Sequence, residues 1–373
     1  MKQISGIAVN IHKKILGKVA RKPLNRFLRS GSDEIRVIAR GYPVLITSNE
    51  FNPEKHKRIS DIPIVHSVKD ITELKEGNVV LIEPSGGINI LYEKESIQNT
   101  IMVTEKCNCA CIMCPQEIKK EDDSKTEFNL KLISLMNKST KFLALTGGEP
   151  TLVGDDLFRL LMACKENLPN TPLIILTNGI LFSNFEYAKK LVLLQNQDLT
   201  IAIPLYADID NMHDYIIQTK GFHKTIQGIY NLALLKQKIE IRVVITNVNY
   251  RRLPSLAEFI YHNFPFVVHI AFMGMETRAL AEKNIDLVWI DPYDYMPYLK
   301  RAVNYLDRAM MDVSIYNQQL CVLPKDLWPY SRKSISSWKN IYLEECQSCL
   351  AKDKCGGLFS SSEYKHSLHI KRM

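Results

Sequence analysis

The sequence predicts an α/β fold: an open, partial barrel of six βα units, with a small β-rich region before it and a cysteine-rich region after it. Three observations carry that expectation. Between about residues 98 and 285, short apolar runs of strand length alternate with longer amphipathic stretches, the pattern of a parallel sheet with right-handed helical crossovers. Six such units can be placed, fewer than the eight of a closed barrel. Seven of the nine cysteines fall in two tight groups, one just after the first strand of this region and one in the tail.

Residues 1–95 come first. Eight Lys or Arg lie within the first 30 residues, and no acidic residue precedes Asp33. This segment is expected to form a basic helix. Such a charge run is most often a solvated face; the functional alternative is a contact for an acidic peptide, RNA or a membrane surface. Behind it, Ile35–Ala39, Val44–Thr47, Val79–Ile82 and Ile88–Tyr92 read as strands of a small β-rich domain. Gly41-Tyr42-Pro43 and Pro84-Ser85-Gly86-Gly87 supply turns between them.

The central region, 96–285, places strands at Ile101–Thr104, Phe142–Thr146, Leu173–Thr177, Leu199–Leu205, Ile239–Thr246 and Val267–Phe272. Helical patterns lie between, at Leu157–Glu166, Tyr187–Leu194 and Thr225–Lys236. In the last region, 286–373, a helical stretch at Pro292–Met311 leads into a Ser- and Lys-rich tail. That tail is too irregular to form a large core alone, so a bound metal or cluster is expected to hold it together.

Composition narrows the class. The 373 residues carry a net charge of +8 and are 46% hydrophobic, enough for a large core. No run of about 18 apolar residues occurs, so no membrane span is expected. Lys13, Lys14, Lys18, Arg21 and Lys22 interrupt every apolar stretch near the N-terminus, which leaves no secretory signal and makes the cytoplasm the expected compartment. There thiols stay reduced, and clustered thiols bind metal or do chemistry. Cys164, in an amphipathic helical stretch, is expected to be a small buried apolar residue.

The first group is Cys107-Asn108-Cys109-Ala110-Cys111-Ile112-Met113-Cys114-Pro115, in the loop after the first barrel strand, where such barrels carry their chemistry. Cys107, Cys111 and Cys114 have the spacing C-x3-C-x2-C. Three thiolates can hold three irons of a 4Fe-4S cubane and leave the fourth open to an external ligand, as a catalytic zinc keeps one position free. An electron carrier would normally use four cysteines. Zinc is the rival occupant, since C-x2-C is also its spacing. Cys109 is an extra thiol, not assigned as a ligand. The second strand ends in Leu145-Thr146-Gly147-Gly148-Glu149-Pro150: two glycines that let backbone approach a ligand closely, and a carboxylate suited to a cationic amine.

Cys107, Cys111 and Cys114, followed one βα unit later by Gly147-Gly148-Glu149-Pro150, resemble the radical SAM superfamily. The resemblance implies a partial (β/α)6 TIM-like barrel and a 4Fe-4S cluster whose open iron is chelated by S-adenosylmethionine (SAM). It also implies that the Gly147 and Gly148 backbone and the Glu149 carboxylate meet the methionine amine. Thr177-Asn178-Gly179 resembles the family's motif after strand three, placing Asn178 on the cofactor side. The implied chemistry is reductive cleavage of SAM to a 5′-deoxyadenosyl radical that abstracts hydrogen from substrate. Two departures stand out: Met113 where the family often has an aromatic residue, and Ile203-Pro204-Leu205-Tyr206 where many relatives carry Ser-Leu-Asp. The stretch from His213 to Thr225 resembles peptide-modifying members. His213 itself is expected to be a structural hydrogen-bonder, and Arg242 and Glu276 to sit in structural ion pairs.

The second group is Cys346-x2-Cys349-x5-Cys355, followed by Gly356-Gly357, with Cys321 as the natural fourth ligand. It resembles a shortened SPASM or twitch extension holding one auxiliary 4Fe-4S cluster; zinc suits the same four thiols. Val103–Asn108, Leu320–Pro324, Ser334–Asn340 and Cys355–Gly357 look like the His-Xaa-Ser system radical SAM maturases of the HxsC type. That likeness implies modification of a ribosomally made peptide bearing His-Xaa-Ser repeats, a second radical SAM maturase as partner, and an electron donor such as flavodoxin or ferredoxin. Two other functions stay open. One is an RNA-modifying radical SAM enzyme, suggested by the basic N-terminus, although nucleic acid is not the expected partner. The other is a non-catalytic zinc-binding interaction protein.

Overall fold

A computed structural model describes residues 2–20, 34–39, 42–50, 62–117, 119, 125–194, 198–336 and 338–373. The chain divides into two compact units. One comprises Met1–Ile101, Lys125–Ala144 and Arg159–Pro172; the other comprises Met102–Ser124, Leu145–Phe158 and Leu173–Met373.

The first unit holds an eight-stranded sheet of β1 (Lys2–Ser5), β2 (Ile7–Val9), β3 (Ile15–Ala20), β4 (Glu34–Ala39), β5 (Tyr42–Thr47), β6 (Ile64–His66), β7 (Val79–Ile82) and β8 (Gly87–Tyr92), in the order β1-β8-β7-β3-β4-β5-β6-β2. β1 and β2 are consecutive in the chain yet pair at opposite ends, with β8 and with β6. This one stretch of chain, broken at Gly6, therefore supplies both edge strands of the sheet. The core of this unit is filled by Val19, Val37, Ile46, Val65, Ile82 and Ile88, among others.

The basic N-terminal helix expected from the sequence does not form over residues 2–20, which are strands β1 to β3. The period-two placement of apolar side chains decides this: in β3, Gly17 and Val19 are buried while Lys18 between them is only half-buried. The rest of the basic segment, from Arg21 to Asp33, lies outside the described residues.

The second sheet contains β9 (Asn99–Thr104), β10 (Leu143–Gly147), β11 (Leu173–Leu176), β12 (Leu199–Pro204), β13 (Lys238–Val244), β14 (His269–Met273), β15 (Val313–Tyr316) and β16 (Ser331–Arg332), in sequence order from one edge to the other. The pairings from β11 through β16 are parallel. β9 to β14 are the six strands read from the sequence, each within about two residues. Helices α1 (Thr126–Leu135), α2 (Asp156–Asn167), α3 (Phe185–Leu193), α4 (Asp210–Ile217), α5 (Phe222–Leu234) and α6 (Leu253–Asn263) fall between them. Short α7 (Leu280–Lys283) and α8 (Ile285–Val288) then precede α9 (Pro292–Arg308), whose N-terminus is capped by Asp291 accepting from Tyr293 N at 2.9 Å.

The region from residue 286 onward contributes strands to the same sheet. β15 and β16 extend the barrel sheet, and the compact unit runs through to Met373. Buried Val313 and Ile315 give β15 its place beside β14. The tail adds a small antiparallel pair, β17 (Asn340–Ile341) with β18 (Leu358–Phe359). Among the described residues no helix is long and apolar enough to cross a membrane.

Candidate functional site

The first cysteine loop leaves the C-terminal end of β9, and its backbone is anchored from three directions. Ala110 N and Ile112 N donate to Ile217 O and Ile216 O at 3.1 and 3.0 Å. These are carbonyls of the last turn of α4, which has no further helix to satisfy them. Leu280 N, at the start of α7, donates to Cys114 O at 3.1 Å, and Asn284 Nδ2 to Ile112 O at 2.8 Å. Cys109, Ile112 and Met113 are buried with Ile180, Tyr206 and Ile216, whereas Cys107 and Cys111 are only half-buried at the edge of that cluster. Met113 thus packs, and Cys109 is the buried thiol of the group. Burial pushes the Cys111 and Cys114 thiols up, with neighbouring cysteines adding to it. The Cys109 N–H donates to Cys107 Sγ at 3.4 Å.

The glycine loop after β10 runs against this loop. Gly148 N donates to Thr104 O at 2.9 Å, and Glu149 N to Lys106 O at 2.7 Å. Gly147 has φ +154°, and a Cβ there would lie 2.2 Å from Thr104 O; one on Gly148 would lie 2.1 Å from Lys106 O. The close approach of a neighbouring backbone therefore requires glycine at both positions.

The radical SAM superfamily model matches residues 101–260, from β9 into α6. The chain belongs to the radical SAM superfamily. It is 30% identical over 258 residues to an uncharacterized protein of Methanocaldococcus jannaschii, covering 65% of this chain and 82% of that one. It is 34% identical over 137 residues to molybdenum cofactor biosynthesis protein 1 of Bos taurus, covering 35% of this chain and 21% of that protein. The crystal structure of Streptococcus suis SuiB bound to precursor peptide SuiA superposes with a TM-score of 0.51 at 15% identity. That match covers 60% of this chain and 49% of SuiB, so the chain spans about half of that structure.

Radical SAM membership implies a 4Fe-4S cluster and SAM, and the donor set after β9 suits them: three thiols on one anchored loop, with the fourth nearby thiol, Cys109, turned into the apolar packing. Glu149 is another matter. Its carboxylate is fully buried. Oε1 accepts from Thr151 N (3.0 Å), Thr151 Oγ1 (2.6 Å) and Thr177 Oγ1 (2.6 Å), and Oε2 accepts from Asn178 N (2.6 Å). Burial pushes this carboxyl up and the four donors oppose it. Three of the four donors crowd Oε1 and only Asn178 N reaches Oε2, so Oε2 is the oxygen that keeps acceptor capacity for a further donor. Glu149 also ties the loop after β10 to the loop after β11. Asn178 continues the chain of contacts: its Nδ2 donates to Asn108 Oδ1 at 2.6 Å and lies 3.4 Å from Cys109 Sγ.

The remaining expected residues are also placed. His213 accepts from Tyr206 N at 3.2 Å and stacks on that ring, and burial lowers its pKa to about 4. Arg242 pairs with Glu240 at 3.4 Å, and Glu276 with Lys339 at 3.0 Å. Cys164 is fully buried in α2.

In the tail, Cys321, Cys346, Cys349 and Cys355 line one cavity, with about 350 Å³ of empty space counted out to its mouth. Leu320 N donates to Cys355 Sγ at 3.5 Å, and Leu350 N to Met373 O at 3.0 Å, which lays residues 370–373 along the cavity wall. Among the described residues no three His, Cys, Asp or Glu side chains converge closely enough to hold a single metal ion; the four thiols surround a space. One contribution invisible to sequence reasoning is Gln319, on the same cavity, whose Nε2 donates to Gly357 O at 2.9 Å and fixes the Gly356-Gly357 turn. Nothing in the local pattern marks it.

Proposed function

We propose that this radical SAM enzyme modifies a ribosomally made peptide, as a maturase of the His-Xaa-Ser type. In this reading Cys107, Cys111 and Cys114 hold the SAM-binding 4Fe-4S cluster, and Cys321, Cys346, Cys349 and Cys355 hold an auxiliary cluster. The observation that carries it is the single cavity lined by all four tail thiols, which brings Cys321 to the group that begins 25 residues later in sequence, beside a barrel already recognised as radical SAM. Four thiols on one cavity suit either an auxiliary cluster or a zinc ion, and iron and zinc analysis separates the two. The likeness in fold to SuiB, which was crystallised with its precursor peptide, supports a peptide substrate.

When bound, the cluster and SAM supply a 5′-deoxyadenosyl radical; the residues of this chain position and enclose it. The α4 carbonyls and α7 amides hold the cysteine loop, while Glu149 and Asn178 lock the next two loops to it. A second radical SAM maturase and a flavodoxin- or ferredoxin-like donor are the implied partners.

The test is co-expression with neighbouring small open reading frames, followed by intact-mass analysis, beside anaerobic iron, zinc and 5′-deoxyadenosine assays on the purified protein. A mass change in one peptide, dependent on Cys107, is the expected result. Iron-bound protein that releases 5′-deoxyadenosine but changes no peptide, and instead alters RNA, would replace the peptide reading.

A further inference from the structure

We infer that a second cavity, walled by Gln318, binds an uncharged hydrogen-bond donor carried on an apolar body, and that a substrate side chain is held there between the two cysteine groups. The substrate clause rests on the peptide reading above; the donor preference does not.

The cavity is open to solvent, and about 500 Å³ of empty space lies within it and its mouth. Ile245, Met275 and Asn317 bring to it the chain just past the C-terminal ends of β13, β14 and β15, and residues 358–367 of the tail close it. Its position is fixed by shared walls. Val288 also belongs to the apolar cluster against which Met275, Cys107 and Cys111 all pack. Gln319 and Leu358 also line the four-thiol cavity. The space is thus bounded on one side by residues around the first cysteine group and on the other by residues around the second.

Gln318 is 1% exposed. Its Nε2 donates to Tyr295 Oη at 2.5 Å, and its Oε1 is buried with no partner. A buried acceptor left unpaired is costly, and native structures keep few of them. On a cavity wall, a donor from a bound molecule removes that cost. His366 lines the same cavity; its Nδ1 lies 3.1 Å from Ser362 O, so Nδ1–H donates there and Nε2 is left as a second acceptor. Lys365 Nζ sits 4.4 Å from the Trp289 ring centroid, both on the wall, which places a fixed cation at the site and disfavours a cationic ligand. Among the described residues no acidic side chain lines the cavity, and the unpaired Oε1 repels an anion at depth. Ile245, Met275, Val288 and Leu358 give the ligand body an apolar bed. A neutral hydroxyl or amide on a small side chain meets all of these conditions.

The probes are N-acetyl-serine amide and N-acetyl-asparagine amide against N-acetyl-alanine amide, titrated into the anaerobic iron-loaded protein by ligand-observed NMR. The serine and asparagine probes should bind about tenfold more tightly than the alanine probe, as one satisfied buried acceptor allows. Gln318→Leu should abolish that preference and lower the melting temperature somewhat, since the buried Tyr295 Oη loses its donor, while substrate-free release of 5′-deoxyadenosine by the folded protein is unchanged. His366→Phe, which keeps a ring and removes the acceptor, should reduce the preference and serves if Gln318→Leu does not fold. Equal binding of the three probes to the wild type, or an unchanged preference in a folded variant, overturns the assignment. A preference lost in Gln318→Leu, with no peptide ever modified, keeps the site and removes the peptide substrate. A modified peptide with no donor preference does the reverse.

Discussion

A fully buried carboxylate with four donors cannot be removed without stranding those donors. Glu149→Ala leaves Thr151 N, both threonine hydroxyls and Asn178 N to find new partners, and should cost about 3 kcal/mol or more of folding stability. Glu149→Gln keeps one oxygen but turns an amide N–H toward a donor, and should cost less. Denaturant unfolding of the two variants, set beside their SAM affinities, checks this. A Glu149→Gln protein as stable as wild type but weak in SAM binding would show that the carboxylate touches the cofactor. His213 makes a pH prediction. Its pKa is lowered by burial to about 4, from an ordinary 6.5, so the unfolded chain binds the extra proton more readily in that window. Its stabilising contribution is complete above pH 6.5 and is lost as the pH falls toward 4, on the order of 3 kcal/mol in all. His213→Asn, able to keep the Tyr206 N–H bond, should flatten the wild-type loss between pH 7 and pH 5, read from urea midpoints. At this scale the sequence marked both residues but not their partners. A Gly-Gly-Glu-Pro run declares close approach and a carboxylate; it does not say whether the approaching atom belongs to a ligand or to Lys106 O.

The six barrel strands were legible because each is a short apolar run bounded by turn residues, and its partner is simply the next strand in the chain. β1 to β3 were not, because a high density of lysine at residues 13–18 hides an alternation only a few residues long, and β1 and β2 gain their partners from β8 and β6, more than 50 residues away. β15 and β16 were missed for a similar reason: four and two residues make no period, and the sheet edge left by β14 decides them. The junction of the cysteine loop and the glycine loop is the element on which the site depends. Gly148→Ala forces a Cβ to within 2.1 Å of Lys106 O, so the two loops must part. Overpacking of this kind costs about 1–3 kcal/mol. Under the proposed ligand assignment, the expected outcome is a lower melting temperature and loss of iron from the Cys107 loop, with any metal at the tail thiols retained, measured by iron analysis and visible absorbance under anaerobic conditions. Full iron retention in Gly148→Ala would mean that the loop tolerates the separation.

At the scale of the molecule, the sequence spoke for two cysteine groups but not for how closely their surroundings join. Gln319 and Leu358 stand between the tail cavity and its neighbour, and β15 and β16 make the extension part of the barrel's own sheet. Neither could be read from spacing, because both depend on contacts between distant segments. This changes what Cys349→Ala should do. If residues 286–373 were an independent appendage, losing one thiol would leave the barrel untouched. Because Thr277 Oγ1 donates to Ser361 O at 2.8 Å and Lys339 pairs with Glu276, loosening the tail also loosens the chain just past β14. The variant should therefore melt at lower temperature than wild type, lose one cluster's worth of iron, and fail to modify peptide. Its three thiols on the β9 loop are unaltered, and the anchors on that loop come from α4 and α7, not from the tail. Substrate-free cleavage of SAM should persist, reduced by no more than the folded fraction. The measurements are iron, zinc, melting temperature and 5′-deoxyadenosine on the same preparation. Loss of zinc with iron unchanged would make the tail a structural zinc site. Loss of SAM cleavage from folded protein that still holds the first group's iron would mean that the tail completes the SAM site itself.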